Sequence, residues 1–341
     1  MLCVSCVKLQ TQAQTNHFQA EGILTSISYS SSGQVQSSRA LGYRVTLRGS
    51  TWGLRMQDLD SSDGAPGNEG VVLLASDGVD IFRLITFSQA EMARAQTNAD
   101  PGGRPINKIT NFAGAYPGPY PFKEPFLTRV LWLAFCSGSF MATNDQQRML
   151  YPGTRPMNNV DMAYDWTPLD AELRIPSQVD FFQFQKKEGP TPGALEETRG
   201  LPAGKYRTLA VTNFSGIMVP TQFEFLSFYG GDSKLISHLR TRVYSTVTGV
   251  RPAGKAEVVF PLPAEANVVE SRFADLYRPL NYVKMGNGTW LDRRDPEILS
   301  KLKALAPRRP TRRFSADAAI AIAMVLLALL SVIIYRKFIT K

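Results

Sequence analysis

The chain of 341 residues is poor in the side chains that most enzymes and metal proteins use. It has two histidines, His17 and His238, and three cysteines, Cys3, Cys6 and Cys136. Three cysteines cannot form a disulfide framework, and a structural zinc site needs four ligands. Cys3 and Cys6 form a CxxC pair, but a redox CxxC lies at a strand-to-helix junction rather than at the start of a chain. These counts predict no metal site and no disulfide-stabilised fold.

Sequence motifs of catalysis and cofactor binding are also missing. No G-x-S-x-G motif, phosphate-binding loop or dinucleotide fingerprint occurs, and His238 lies in KLISHLR, which matches no catalytic pattern. We therefore predict a non-enzymatic protein with no catalytic residue and no cofactor. A membrane-tethered hydrolase remains an alternative, because the paired carboxylates of a glycosidase are close in space rather than in sequence.

Residues 1–300 carry almost no net charge. The formal net charge is +9, yet residues 301–341 hold nine basic residues and one acid, and so contribute +8 of it. A nucleic-acid-binding protein instead presents its basic residues on one face of the folded domain. Because the basic residues here bracket an apolar segment, their distribution indicates a membrane and not a nucleic acid as partner.

The long hydrophobic run lies near the C-terminus. Residues 318–335, AAIAIAMVLLALLSVIIY, contain no charge and no proline, and a helix of this length crosses about 30 Å of hydrocarbon. We predict a single transmembrane helix at 318–335, a basic juxtamembrane linker at 306–317 and a short basic tail at 336–341. The residues expected to anchor the helix ends are Arg312, Arg313, Tyr335, Arg336 and Lys337.

The first sixteen residues predict export. MLCVSCVKLQTQAQTN joins a short apolar stretch to small and polar residues near Ala13, as at the end of a signal peptide. We interpret residues 1–16 as a signal-peptide remnant, and 17–305 as a globular domain in the periplasm or outside the cell. The alternative is a cytoplasmic, tail-anchored protein, because Lys and Arg are more numerous on the N-terminal flank of the predicted span.

Period-two alternation dominates the predicted globular domain. It predicts one hairpin around Gly49 and a second at the Asp77-Gly78 turn. The segment FLTRVLWLAF at 126–135 is apolar nearly all round, which is typical of a buried helix. Residues 88–122 and 144–170 are predicted to be irregular. The fold class is α+β, mainly antiparallel β, with one or two buried helices. Further strands are predicted at 181–185, 206–211, 222–229, 241–250, 257–262 and 281–291.

Two of these segments together resemble the lipoprotein-carrier superfamily that includes LolA. In that superfamily one strand carries a Trp/Leu/Arg cluster, and a later hairpin has Ser-Asp-Gly followed by an aromatic residue. The resemblance implies a strongly curved half-barrel sheet whose concave apolar face is closed by helices and shields acyl chains from water. The matching residues are Trp52, Leu54, Arg55, Ser76, Asp77, Gly78 and Phe82.

Seven apolar residues are candidates for the lining of such a groove, although each could equally belong to an ordinary core. The first hypothesis is a membrane-anchored, non-catalytic envelope protein that binds lipid, lipoprotein or another apolar ligand. The alternative is a structural, interaction or sensor module of the cell envelope, with a protein partner and no small ligand. The groove candidates are Trp52, Leu54, Met56, Phe82, Leu84, Val130 and Leu131.

Overall fold

The structure is a computed structural model that divides into two compact units, Met1–Glu270 with Asn281–Trp290 and Ser271–Leu280 with Leu291–Lys341. The first unit contains the helices Phe126–Phe135 and Gly138–Thr143 and the hydrophobic core. The described residues are 17–59, 70–87, 111–122, 124, 126–150, 161–169, 175–188, 195–229, 238–254, 258–263, 265–272, 280–284, 288–290, 292, 296, 299, 300 and 304.

The described part of the chain forms fourteen strands and two helices. The strands are β1 His17–Tyr29, β2 Val35–Arg48, β3 Thr51–Asp58, β4 Val71–Ser76, β5 Asp80–Thr86, β6 Asn111–Pro117, β7 Arg148–Leu150, β8 Asp161–Pro168, β9 Pro176–Glu188, β10 Leu195–Phe214, β11 Ile217–Phe228, β12 Leu239–Pro252, β13 Ala266–Glu270 and β14 Leu280–Lys284. The helices are α1 Phe126–Phe135 and α2 Gly138–Thr143.

All fourteen strands lie in one open, curved sheet. Its order is β14-β13-β6-β5-β4-β3-β2-β1-β12-β11-β10-β9-β8-β7. The described pairings are antiparallel apart from β6 with β13, which run parallel. The predicted mainly antiparallel α+β class is therefore confirmed.

Both predicted hairpins are present. β2 and β3 are joined at Gly49, which has a φ of 58°, and β4 and β5 at Gly78, which has a φ of 90°. Asp77 stabilises the second turn, because its Oδ1 accepts hydrogen bonds from the backbone N–H groups of Val79 and Asp80, each at 2.8 Å. Local turn chemistry alone is thus sufficient to specify these connections.

Helix α1 lies inside the curve of the sheet, with the bounds predicted from the sequence. It packs against β2 and β3 on one side and against β11 on the other, with β1 and β12 between them in the sheet. The Phe135 ring of the helix contacts strands on both sides. Its centroid lies 6.2 Å from the ring centroid of Tyr43 on β2 and 5.6 Å from that of Phe223 on β11. Only a sheet that curves around the helix can bring strands so far apart onto one ring.

Two parts of the chain differ from their predictions. β6 lies within the predicted connection 88–122, and β7 and β8 lie within 144–170. β6 has the sequence NFAGAYP, whose small buried residues Ala113 and Ala115 give no apolar alternation to detect. Conversely, no strand is found over the described residues 258–263, because Pro261 and Pro263 have no N–H to donate to a ladder.

Residues 258–263 have a packing role instead. Leu262 is buried with Leu84, Ala113, Ala266 and Val268 in a second, smaller apolar cluster that is separate from the main core. The Trp290 ring packs onto the same side, 4.9 Å from the ring of Phe82. The face of β5 that points away from α1 is therefore covered by a later part of the chain.

Among the residues that the structure describes, no helix has the length and apolar character needed to cross a bilayer. The predicted span 318–335, its flanking residues and the predicted signal-peptide remnant 1–16 lie outside those residues.

Candidate ligand-binding cleft

The structure separates the seven predicted groove residues into two groups. Five of them are buried together in the main core: Trp52, Leu54, Met56, Val130 and Leu131. Phe82 and Leu84 lie on the opposite face of the sheet, where Phe82 contacts Trp290 and Leu84 joins the smaller cluster. Of the seven, Met56 also lines an open cleft at the edge of the core.

This cleft has a volume of about 560 Å³ and lies between the concave face and the N-terminal end of α1. Its floor is a row of side chains directly opposite one another on β3, β4 and β5, namely Met56, Val72 and Ile85. We call these three residues the apolar row. Phe126 and Leu127 of α1 cover it, so one half of the cleft is hydrophobic.

The other half of the cleft is polar. Ser37, Ser28 and Thr241 face one another across β2, β1 and β12, and we call them the hydroxyl row. Arg39 lies beside this row, and its guanidinium is paired with Asp58: Nη2 and Nε lie 2.6 Å and 2.8 Å from Asp58 Oδ2. The cleft therefore has one apolar wall and one wall of hydroxyl groups and a neutralised ion pair.

A buried ion pair fixes the chain just before α1. Glu124 is 1% exposed, and its Oε2 lies 3.4 Å from Nη1 of Arg83, which also donates from Nη2 to the Tyr116 hydroxyl at 2.6 Å. Burial raises the pKa of Glu124, and the nearby Arg83 charge opposes that rise. The segment leading into α1 is thereby bound to β5.

The side chains of His238 and Cys136 lie away from the cleft. None of the described residues form a group of three or more His, Cys, Asp or Glu side chains suited to a metal ion. His238 bonds to the Ser31 carbonyl oxygen at 2.9 Å through its Nδ1 on the surface. Cys136 is buried, and this burial raises the pKa of its thiol. Neither residue lines the cleft.

Sequence reasoning overlooked most of the cleft. Ile85 is in a strand that the alternation predicted, and Leu127 is in the predicted helix, but nothing in either segment marks these positions as open. Ser26 and Ser28 alternate with Ile27 in a stretch rich in serine, which was the one available signal for a polar wall. Register across strands, which no local pattern contains, is needed to bring Ser28, Ser37 and Thr241 together.

Comparison with known proteins gives a fold-level result. No protein-family model matches the chain, and no curated protein matches it significantly. A DUF1329 family protein from Desulfovibrio piger is similar at 11% identity, over 72% of this chain and 90% of that chain, with a TM-score of 0.36. A LolA superfamily protein from Nitrosomonas europaea is similar at 11% identity, over 72% and 89%, with a TM-score of 0.32. The solved structures to which the chain is distantly similar thus include a LolA superfamily protein.

Proposed function

We propose that this protein binds a lipid, the acyl part of a lipoprotein, or another apolar ligand in the cleft, without catalysis. The observation that supports this proposal is the apolar row of Met56, Val72 and Ile85, which lines an open cleft together with Phe126 and Leu127 of α1. Val72 and Ile85 are half-buried, although both lie on the same face as the fully buried core.

The energetics favour such a ligand. Each methylene removed from water contributes about 0.8 kcal/mol, so an acyl chain over an apolar row needs few directional contacts. The cleft volume of about 560 Å³ is within the range of roughly 300–1,000 Å³ typical of small-molecule sites. One acyl chain with its head group is therefore the expected occupant.

The predicted C-terminal helix at 318–335 limits the role that such binding can serve. A chain held in one membrane cannot diffuse between two membranes, so we propose a lipid or lipoprotein acceptor, sensor or scaffold, and not a free carrier. The domain is proposed to lie outside the cytoplasm, as the N-terminal residues predict, with the short basic tail inside.

The proposal is tested by native mass spectrometry of the purified full-length chain after exposure to a lipid extract. We expect bound acyl lipid in the wild type, and its loss in Ile85→Glu and Leu127→Glu, because a carboxylate in the apolar half is unfavourable. The matched control is Ile23→Glu, since Ile23 is 44% exposed and does not line the cleft. A folded wild type that carries no lipid, or equal loss in the control, contradicts the proposal.

A second candidate function has one observation in its favour. Several large apolar side chains are exposed outside the cleft, on strands β1, β10 and β12: Ile23, Leu209, Val211 and Tyr244. Exposed apolar groups of this kind favour a protein partner. If the interaction-module alternative is correct, Ile23→Glu weakens association with an envelope protein, whereas Ile85→Glu leaves it unchanged.

A further inference from the structure

The polar wall of the cleft is ordered by the sheet rather than scattered. Ser28 is directly opposite Ser37 on β2 and Thr241 on β12. Ser227 on β11 is in turn opposite Thr241, so hydroxyl side chains occupy one cross-strand row over four adjacent strands. Hydroxyl groups both donate and accept hydrogen bonds, so such a row suits a head group that carries hydroxyls or ester carbonyls.

Thr241 adds an unpartnered buried hydroxyl to this row. It is 2% exposed and lines the cleft, yet within the described part of the structure its Oγ1 has no hydrogen-bond partner. A buried hydroxyl without a partner is unfavourable, and valine has almost the same shape without that cost. A ligand group that bonds to Oγ1 would remove the cost.

The charges beside the hydroxyl row cancel. Asp58 holds the Arg39 guanidinium at 2.6 Å, so the ion pair has no net charge to offer to an incoming head group. An anionic head group placed here would lose its hydration and would also lie close to the Asp58 carboxylate. The wall therefore disfavours a free carboxylate or phosphate.

We infer that the cleft binds a single-chain amphiphile with an uncharged, hydroxyl- or ester-bearing head group, of the monoacylglycerol type. The acyl chain lies on the apolar row, and the head group bonds to the hydroxyl row, with Thr241 as a specificity-determining residue. This inference rests on the proposed lipid-binding function and adds to it the class and the orientation of the ligand.

The test compares 1-oleoylglycerol with oleate, which share one acyl chain, as ligands of the full-length protein under mildly alkaline conditions. We expect 1-oleoylglycerol to bind at least about tenfold more tightly, and the double variant Ser37→Ala with Thr241→Val to lose about tenfold in that affinity. An unfunctionalised alkene of the same length should bind the double variant and the wild type equally, because its contacts are all with the apolar row.

Two neighbouring positions provide the control. Ser38 and Thr246 lie on the same strands as Ser37 and Thr241, and neither lines the cleft. The double variant Ser38→Ala with Thr246→Val should therefore bind 1-oleoylglycerol as the wild type does. Thermal unfolding without ligand should show that Thr241→Val is at least as stable as the wild type, so that weaker binding is not a folding defect.

The outcomes are distinguishable. Tighter binding of 1-oleoylglycerol that depends on Ser37 and Thr241 supports the inference. Equal binding of both lipids, unaffected by the hydroxyl variants, overturns it and leaves the proposed lipid-binding function intact. Tighter binding of oleate overturns it in favour of an anionic head group at Arg39. If neither lipid nor the alkene binds, both the inference and the proposed function fail.

Discussion

At the scale of single residues, the most unusual group is the Glu124 carboxylate. It is almost completely buried, and the Arg83 guanidinium, 3.4 Å away, divides its hydrogen bonds between Glu124 and Tyr116. Desolvation therefore outweighs the attraction, and the pKa of Glu124 is raised. The sequence around Glu124 shows only a proline-rich connection, so nothing local predicted a buried charge there.

Replacing Glu124 by glutamine should change how stability depends on pH. An acid with a raised pKa in the folded state contributes stability at a pH below its ordinary pKa, and this contribution is lost as the pH rises through the raised value. The free energy of unfolding of Glu124→Gln should therefore increase relative to the wild type as the pH rises from acidic to neutral. Urea unfolding at a series of pH values measures this difference.

Glu21 provides a control of opposite sign. Burial tends to raise its pKa, but the hydrogen bond and charge of Arg44, together with Arg251, lower it overall. Its contribution is present above the ordinary glutamate pKa and is lost as the pH falls, so Glu21→Gln should become less stable relative to the wild type as the pH rises. The effect should be small because the pair is solvent-exposed. If the free energies of unfolding of both variants, relative to the wild type, changed with pH in the same direction, the raised pKa of Glu124 would be contradicted.

At the scale of elements, α1 was the most predictable part of the fold and the least predictable part of the site. An apolar segment ten residues long, with hydrophobic side chains on nearly all sides, is typical of a buried helix. Which residues of α1 are exposed to solvent depends on how far the curved sheet extends over the helix. Leu131 is completely buried, whereas Leu127 is partly exposed and lines the cleft.

Leu131→Ala should therefore mainly lower stability, and Leu127→Ala should mainly weaken lipid binding. Leu131→Ala should lower the free energy of unfolding by about 2–5 kcal/mol, because it leaves a cavity in the core, and should leave lipid affinity unchanged. Leu127→Ala should cost less stability and weaken lipid binding more. Urea unfolding and native mass spectrometry measure the two effects. If Leu131→Ala loses lipid while keeping its stability, the groove extends into the core, as the sequence predicted.

At the scale of the whole molecule, the predicted membrane association of the chain rests on residues 318–335. Deletion of 318–341 should release the protein from the membrane fraction, whereas deletion of 336–341 alone should not, because the apolar run remains. Alkaline carbonate extraction followed by immunoblotting of both fractions measures this. Release of the full-length chain by carbonate would show that the apolar run does not span the bilayer.

Sequence patterns alone predicted the local elements: the two hairpins at Gly49 and Gly78, the buried helix α1 and the mainly antiparallel class. These follow from alternation, turn residues and apolar periodicity, which act over a few neighbouring residues. Three features depend on the tertiary structure: Met56, Val72 and Ile85 line one cleft, β6 pairs in parallel with β13, and Ser28 lies opposite Thr241. Strand register and sheet curvature join residues distant in the chain, and no local pattern contains that information.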